Sequence, residues 1–456
     1  MHAPQQFTFG TATAAYQIEG APDADGRTPS IWDVYSHTPG KTVNGDTGDI
    51  ACDSYRRWED DLDLLADLGV DSYRLSISVP RIIPTPDGKP NEAGLDHYER
   101  IIDALRDRGI RPVVTLYHWD LPQYMGEQGG WLNRDTAYRM ADYARIVARR
   151  LGDRVDVYPT LNEPWCSSYL SYGATEHAPG LGLGAGCFPT VHHLNLAHGL
   201  MAEAIRAEVG TGSKVSVTLN LQFNRGDADA VHRTDLIGNR VWLDPMLRGY
   251  YPAELFDVTR KACDWSFVRD GDLKLINQPI DLLGVNYYST NLVALAKTPH
   301  TDDGATAWPC CENVDWLPTP GDHTAMGWNI DPEGLTDLLV RVHNDYPSVP
   351  LVVTENGEAC DDVETQEADG TFAVHDADRI DYLRRHLAAI GKAIRAGVPV
   401  EGYFVWSLMD NFEWAYGYTK RFGIVRVDYD HDCRRVPKDS FAWYRKVIAD
   451  RELPEE

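Results

Sequence analysis

Two carboxylates stand where an apolar run stops. In "VDVYPTLNEPW", Val155 to Trp165, a segment rich in Val and Tyr ends in Asn162, Glu163 and Pro164, and "LVVTENG" repeats the pattern around Glu355. Such a run reads as a buried strand. Pro164 withholds a backbone donor and biases Glu163 toward an extended backbone, so the pattern marks a strand end rather than a helix cap. One Glu in that position is ordinarily a solvated loop residue, because charged side chains mostly sit exposed. Two that face each other could hydrolyse a glycoside: one carboxyl protonates the departing oxygen while the other attacks the anomeric carbon. A gap of about 5 Å between them implies retention of configuration, and one of about 6.5 to 9.5 Å leaves room for water and implies inversion.

Other polar residues also fall at the ends of strand-like segments: Gln17 and Glu19, Arg74, His118 to Asp120, Asn220, Asn286 to Tyr288, Asn356, and Trp406 with Ser407. Trp32, Trp119, Trp165, Trp328, Trp406 and Trp414 lie in loops or at strand ends, where flat apolar rings match the C–H faces of a pyranose. Gln17, His118, Asn162 and Glu413 offer the paired donors and acceptors that neighbouring hydroxyls require. A metal-dependent hydrolase would have to use His118 and Asp120 with His192 and His193. The last two sit early in a predicted helix, and neither HxH nor HExxH spacing occurs. No metal and no other cofactor is expected.

The elements that would position these groups alternate between strand and helix along nearly the whole chain, which implies a parallel α/β fold. Helices such as "YRRWEDDLDLLADLG" and "LDHYERIIDALRDRG" separate strands such as "DSYRLSIS" and "IRPVVTLYHW". Eight such units would close into a (β/α)8 TIM barrel with its site at the C-terminal strand ends, and Glu163 and Glu355 would end its fourth and seventh strands. A doubly wound sheet is the alternative, but no glycine-rich dinucleotide fingerprint follows the first strand. Without repeats or low-complexity linkers, residues 1–456 are expected to form one domain. The longer connections are Gly20 to Ala51, Tyr172 to Thr190 and Ser289 to Asp331.

The 456 residues are 43% hydrophobic and 25% charged, which is globular composition. A net charge of -26, from 43 basic and 69 acidic residues, disfavours nucleic acid and anionic membranes as partners. The N-terminus "MHAPQQFTFG" has no export signal and no stretch approaches a membrane span, so a soluble, cytoplasmic protein is expected. Eight scattered cysteines without CxxC pairs fit reduced thiols. Whether an exposed loop Trp serves a substrate or a second subunit in a homo-oligomer stays open.

Taken in order, the motifs resemble glycoside hydrolase family 1, the β-glucosidase family, over essentially the entire chain. "FTFGTATAAYQIEG" is similar to that family's N-terminal signature, and "YRLSIS", "HWDLP", "TLNEP", "GVNYYS", "TENG" and "WSLMDNFEW" follow in the family's order. The resemblance implies a retaining double displacement, with Glu163 as acid/base and Glu355 as nucleophile. It implies that Arg74 and Tyr288 hold the nucleophile, and Asn286 of the "GVNYYS" motif joins this catalytic group. Gln17, His118, Trp119, Asn162, Trp406, Glu413 and Trp414 would form the glycone pocket, and Trp165, Asn220 and Trp328 the aglycone side. A non-proline cis peptide is implied at Trp406–Ser407.

The substrates implied are β-glucosides or short β-linked oligosaccharides, with galactosides and fucosides admitted because Gln17 and Glu413 can accept either 4-hydroxyl. Intact Glu413 and Trp414 set the chain apart from the family's phospho-glycosidases, and Glu163 sets it apart from the thioglucosidases. Three departures stand out: Val79 replaces a usual tryptophan, "WxTxNEP" has become Tyr158 to Pro164, and Glu358 replaces an apolar residue. Val79 is expected to bear on packing, and Glu358 to lie just outside the pocket. A barrel that binds sugar without cleaving it is the alternative, against which both carboxylates speak.

Overall fold

The computed structural model describes residues 1–300 and 304–455. Eight apolar segments form parallel strands: β1 (Thr8–Ala12), β2 (Ser72–Ser76), β3 (Arg111–Thr115), β4 (Val157–Asn162), β5 (Lys214–Asn220), β6 (Leu282–Asn286), β7 (Leu351–Asn356) and β8 (Val400–Trp406). Each pairs with its sequence neighbours, and β1 pairs with both β2 and β8, which closes the sheet into a barrel. That closure overturns the doubly wound alternative. Every residue of β2, β6 and β7 is buried, as expected of strands covered by side chains inside and helices outside.

The outer layer comes from amphipathic helices, among them Ser54–Leu68, Glu92–Asp107, Asp135–Leu151, Phe188–Val209, Pro332–Asp345, Ala377–Arg395 and Asp439–Asp450. In Glu92–Asp107, Leu95, Tyr98, Ile101, Ile102 and Leu105 recur at helical spacing and are buried. Between β5 and β6, helices Ala228–Asp235 and Val241–Arg248 run on through the π-helical Leu236–Arg240 and are followed by two short helices, Ala253–Thr259 and Asp272–Ile276. The connection after β6 is not featureless: Thr290–Leu295 and Val314–Leu317 join Phe223–Gly226 in a small sheet at the barrel mouth. β1 stops at Ala12, and Ala15–Ile18 turns into a short helix that carries Gln17.

Both carboxylate-bearing strands are irregular just before their acids. On β4, Pro159 pairs with Ser216 and Asn162 with Thr218, so three steps on β4 match two on β5. On β7, Val353 pairs with Val285 and Glu355 with Asn286, two steps against one. Such bulges bend a strand and redirect the side chains that follow. Beyond Glu355, Gly357 runs so close to β8 that a Cβ there would sit 1.9 Å from the Trp406 carbonyl oxygen. Only glycine fits in that place.

Among the described residues no helix is long and apolar enough to cross a membrane. Val79 is fully buried at the start of a short helix, Val79–Ile82, in keeping with a packing role.

Candidate active site

The C-terminal strand ends surround a cavity of about 650 Å³. Its walls include Glu163, Glu355 and Glu413, with His118, Trp119, Trp165, Asn220, Asn286, Tyr288, Trp328, Trp406 and Trp414. Arg74, Asn162 and Gln17 lie just beneath, bonded to wall residues. The residues named as catalytic or as the glycone and aglycone pockets are thus brought together, with Trp32 left outside the wall. A second cavity, about 730 Å³, opens at the other end of the barrel between Arg111, Asp156, Lys214 and Glu401, and contains no part of this constellation.

Glu163 and Glu355 are tied by one chain of hydrogen bonds. Arg74 donates from Nη1 to Glu355 Oε1 at 2.6 Å and from Nη2 to Asn162 Oδ1 at 2.6 Å. Asn286 donates through Nδ2 to Asn162 Oδ1 at 3.2 Å and to Glu163 Oε1 at 2.6 Å. Tyr288 donates its hydroxyl to Glu355 Oε2 at 2.7 Å. Both oxygens of Glu355 therefore accept from strong donors, one of them a cation, which is the setting of an ionised carboxylate.

Among the described residues no cation pairs with Glu163. Burial first, and then the charge of Glu355, push its carboxyl up to about 8, against the opposing pull of Asn286, Cys166 and Arg74. Glu413 is likewise pushed up to about 8, by burial and then by the charges of Glu355 and Glu163. Burial, reinforced by the Arg74 charge, holds the His118 imidazole well below its ordinary range, so its ring is neutral. Burial and the Glu355 charge push the Tyr288 hydroxyl up, which keeps it a donor.

The extended backbone expected at Glu163 does not form. Its φ is +46°, and its N–H donates to the Thr218 carbonyl at 2.9 Å. The bulge and the following π-helical segment, Cys166–Gly173, turn the chain sharply at this residue. Trp119 and Trp414 also have positive φ, +77° and +49°. A non-glycine residue in that region costs roughly 1–3 kcal/mol, and such strain gathers where a side chain must be aimed. The Trp406–Ser407 peptide is cis, as the resemblance implied.

One wall of the cavity is aromatic. His118 stacks on Trp406 at 5.9 Å and on Trp414 at 6.0 Å, and Trp119 lies 4.4 Å from Trp414. Trp119 is fixed by its Nε1 donating to the Asn162 carbonyl at 2.9 Å. Trp32, expected to face a sugar, does not: it lies fully buried in the helix Ile31–Ser36 and packs behind Trp414 at 4.6 Å. Gln17 donates through Nε2 to Asn411, Phe412 and Glu413, while its Oε1 and His118 Nδ1 are buried with no partner among the described residues. A hydroxyl-rich ligand would satisfy both.

Asp120 is fully buried, with no hydrogen-bond partner for its carboxyl oxygens among the described residues, and burial pushes that carboxyl well up; the other remaining candidates have structural partners. Glu19 binds Arg81 at 2.7 Å and Tyr98 at 2.6 Å, and Asn356 is bonded to Tyr287 and Tyr382. His192 is held by Asp272 and Tyr251, and His193 by the Trp131 carbonyl, all on the barrel's outer layer. Among the described residues no three His, Cys, Asp or Glu side chains come together as a metal site. Glu358 is buried outside the cavity wall, where burial pushes its carboxyl up to about 7, and it accepts from Cys360.

Several wall residues were missed from sequence, among them His177, Gln222 and Lys41, and two groups bear most on the site. Trp308 and Trp316 continue the aromatic face outward from Trp165, at 5.4 Å and then 4.5 Å. They belong to the long connection after β6, whose lack of period gave no orientation. Cys166 also lines the cavity; it stands three residues beyond Glu163, and that spacing was its only signal.

The sequence profile of Glycosyl hydrolase family 1 matches residues 1–453. A bifunctional β-D-glucosidase/β-D-fucosidase of Bifidobacterium breve is 66% identical over 454 residues, covering 98% of both chains. A 1,4-β-D-glucan glucohydrolase of Thermotoga neapolitana is 43% identical, with 99% of each chain covered. The solved structure of a Thermotoga maritima β-glucosidase in complex with deoxynojirimycin superposes with a TM-score of 0.90 at 43% identity, covering 99% of each chain.

Proposed function

Because the chain belongs to glycosyl hydrolase family 1 over essentially its whole length, we infer that it is a β-glucosidase, an O-glycoside hydrolase that removes terminal β-D-glucosyl residues by a retaining double displacement. One observation carries the mechanism: a single hydrogen-bond chain leaves Glu355 between a cation and a phenol, and Glu163 against neutral donors with its carboxyl raised. Glu355 attacks the anomeric carbon as an ionised nucleophile. Glu163 gives its proton to the departing oxygen, then takes one from the water that cleaves the glycosyl-enzyme. Arg74 and Tyr288 orient the nucleophile, and Asn286 holds Glu163. Arg74 and His118 fix the Asn162 amide, and its role is to bond the 2-hydroxyl, where hydrogen bonds tighten in the transition state.

Gln17, His118 and Glu413 bind the remaining glucose hydroxyls against the faces of Trp119, Trp406 and Trp414. Trp165, Asn220 and Trp328 receive the aglycone. β-Fucosides and β-galactosides are further substrates, as the Bifidobacterium breve relative's name suggests for the former, since Gln17 and Glu413 can serve either 4-hydroxyl. A free hexose rather than a 6-phosphate is the preferred glycone, because Glu413 and Trp414, which the family's phospho-glycosidases do not keep together, are intact and line the cavity.

The test is hydrolysis of p-nitrophenyl β-D-glucoside, galactoside, fucoside and 6-phosphoglucoside without added metal, with the first-formed anomer read by NMR. Turnover of the first three with β-sugar released first is the expected result. An α-anomer appearing first would sink the double displacement, and binding without turnover would favour a sugar-binding barrel.

The raised Glu163 carboxyl sets a pH limit. It carries its proton below about 8 and loses it above, so bond cleavage to a poor leaving group fails as pH rises through that value. An alkaline limb of kcat/KM near pH 8 is expected for an alkyl glucoside. A fall already complete by the ordinary carboxylate range would remove Glu163 from the acid's role.

A further inference from the structure

The mechanism above makes no use of Cys166. Resting on that glycosidase reading, we propose that the Cys166 thiol is a positioning residue for the acid/base: it donates to Glu163 Oε2 and thereby favours the ionised form in which Glu163 must act as base.

The sulfur lies 3.2 Å from Glu163 Oε2, while Asn286 takes Oε1 at 2.6 Å. The two oxygens thus have different partners, an amide on one and a thiol on the other. Cys166 opens the π-helical segment, and its backbone N–H donates to the Glu163 carbonyl at 2.9 Å, which fixes the two side chains side by side. Asn220 donates through Nδ2 to the sulfur at 3.5 Å, so the sulfur's own hydrogen is left to point at Glu163. Burial and then the Glu163 charge push the thiol well above its usual range, so it stays protonated.

The consequence runs through the cycle. With Oε1 kept as an acceptor by Asn286, the catalytic proton resides on Oε2. When that proton leaves with the departing oxygen, the new charge appears on the oxygen that the thiol faces, and the S–H bond strengthens because its acceptor is now ionised. Water attacking the glycosyl-enzyme returns a proton to Oε2. The thiol keeps its hydrogen throughout, and no redox step is involved. Without it the carboxylate would be held by Asn286 alone and would be the weaker-held state.

The test compares Cys166→Ala and Cys166→Ser with the wild type in two readouts. These are the alkaline limb of kcat/KM on p-nitrophenyl glucoside and the turnover of 2,4-dinitrophenyl glucoside, which is limited by the second step. Removing the donor in C166A is expected to move the limb upward by roughly half a pH unit and, at a pH below the limb where the ionised fraction of Glu163 sets the rate, to slow the second step by up to about threefold, the size of a weak hydrogen bond. C166S, whose hydroxyl reaches the same oxygen, is expected to restore both. If the alanine variant does not fold, Cys166→Val fills the space without a donor and should behave as the alanine would. A limb unmoved in the donor-less variants, or moved equally in C166S, would reduce Cys166 to packing and overturn the proposal. A wild type that turns over neither substrate would instead bring down the glycosidase reading itself.

Discussion

Replacing Glu355 by Ala is expected to cut hydrolysis of p-nitrophenyl β-D-glucoside by roughly 10⁵-fold or more, the scale of losing a covalent nucleophile. The variant should keep its sugar pocket, since Gln17, His118 and Trp414 do not touch this carboxylate. It will be less stable: Arg74 is fully buried and loses its ion-pair partner, and stranding a buried charge costs about 3–5 kcal/mol. Azide or formate should therefore do two things. It restores negative charge beside Arg74, and as a nucleophile it reaches the anomeric carbon from the face Glu355 had occupied. α-Glucosyl azide is the expected product. Turnover within tenfold of the wild type, with the fold intact by thermal unfolding, would end the assignment.

Glu163→Ala gives the second large effect, and its signature is different. General acid catalysis contributes about 10²–10⁴-fold, but only where the leaving group needs a proton. Cleavage of an alkyl glucoside should fall by about 10³-fold, while cleavage of 2,4-dinitrophenyl glucoside to the glycosyl-enzyme should change little. The second step then lacks its base, so the intermediate accumulates. Azide should release it as β-glucosyl azide, the opposite anomer from the Glu355 variant, because the nucleophile's face is still occupied. The contrast between the two azide products separates the roles without reference to absolute rates. Equal losses on both leaving groups would contradict an acid/base role for Glu163.

The strands and the main helices were legible because each carries its own period: Glu92–Asp107 shows its buried face at helical spacing, and "LVVTENG" shows a covered strand with a charge at its end. The two carboxylates were legible for the same reason, since a charge that ends an apolar strand violates the local pattern and needs a cause. Trp32 misled because its composition and loop context match those of Trp119 and Trp414. Which tryptophan fronts the cavity is set by the stacking order of the rings, and sequence does not contain that order.

By itself, then, the sequence determined the alternation of elements, the covered strands, the two acids and most of the wall around them, all of which are written in local period and residue type. Tertiary structure alone decided the surroundings that set those two acids apart. The ion pair that sets Glu355 joins residues 281 positions apart, and the bulges that aim both carboxylates exist only as a mismatch between neighbouring strands. The left-handed turn at Glu163, the thiol at its Oε2 and the aromatic face from Trp165 to Trp316 likewise arise only after closure. A carboxyl's protonation state follows from its solvent and its neighbours' charges, and the chain acquires both when the barrel closes.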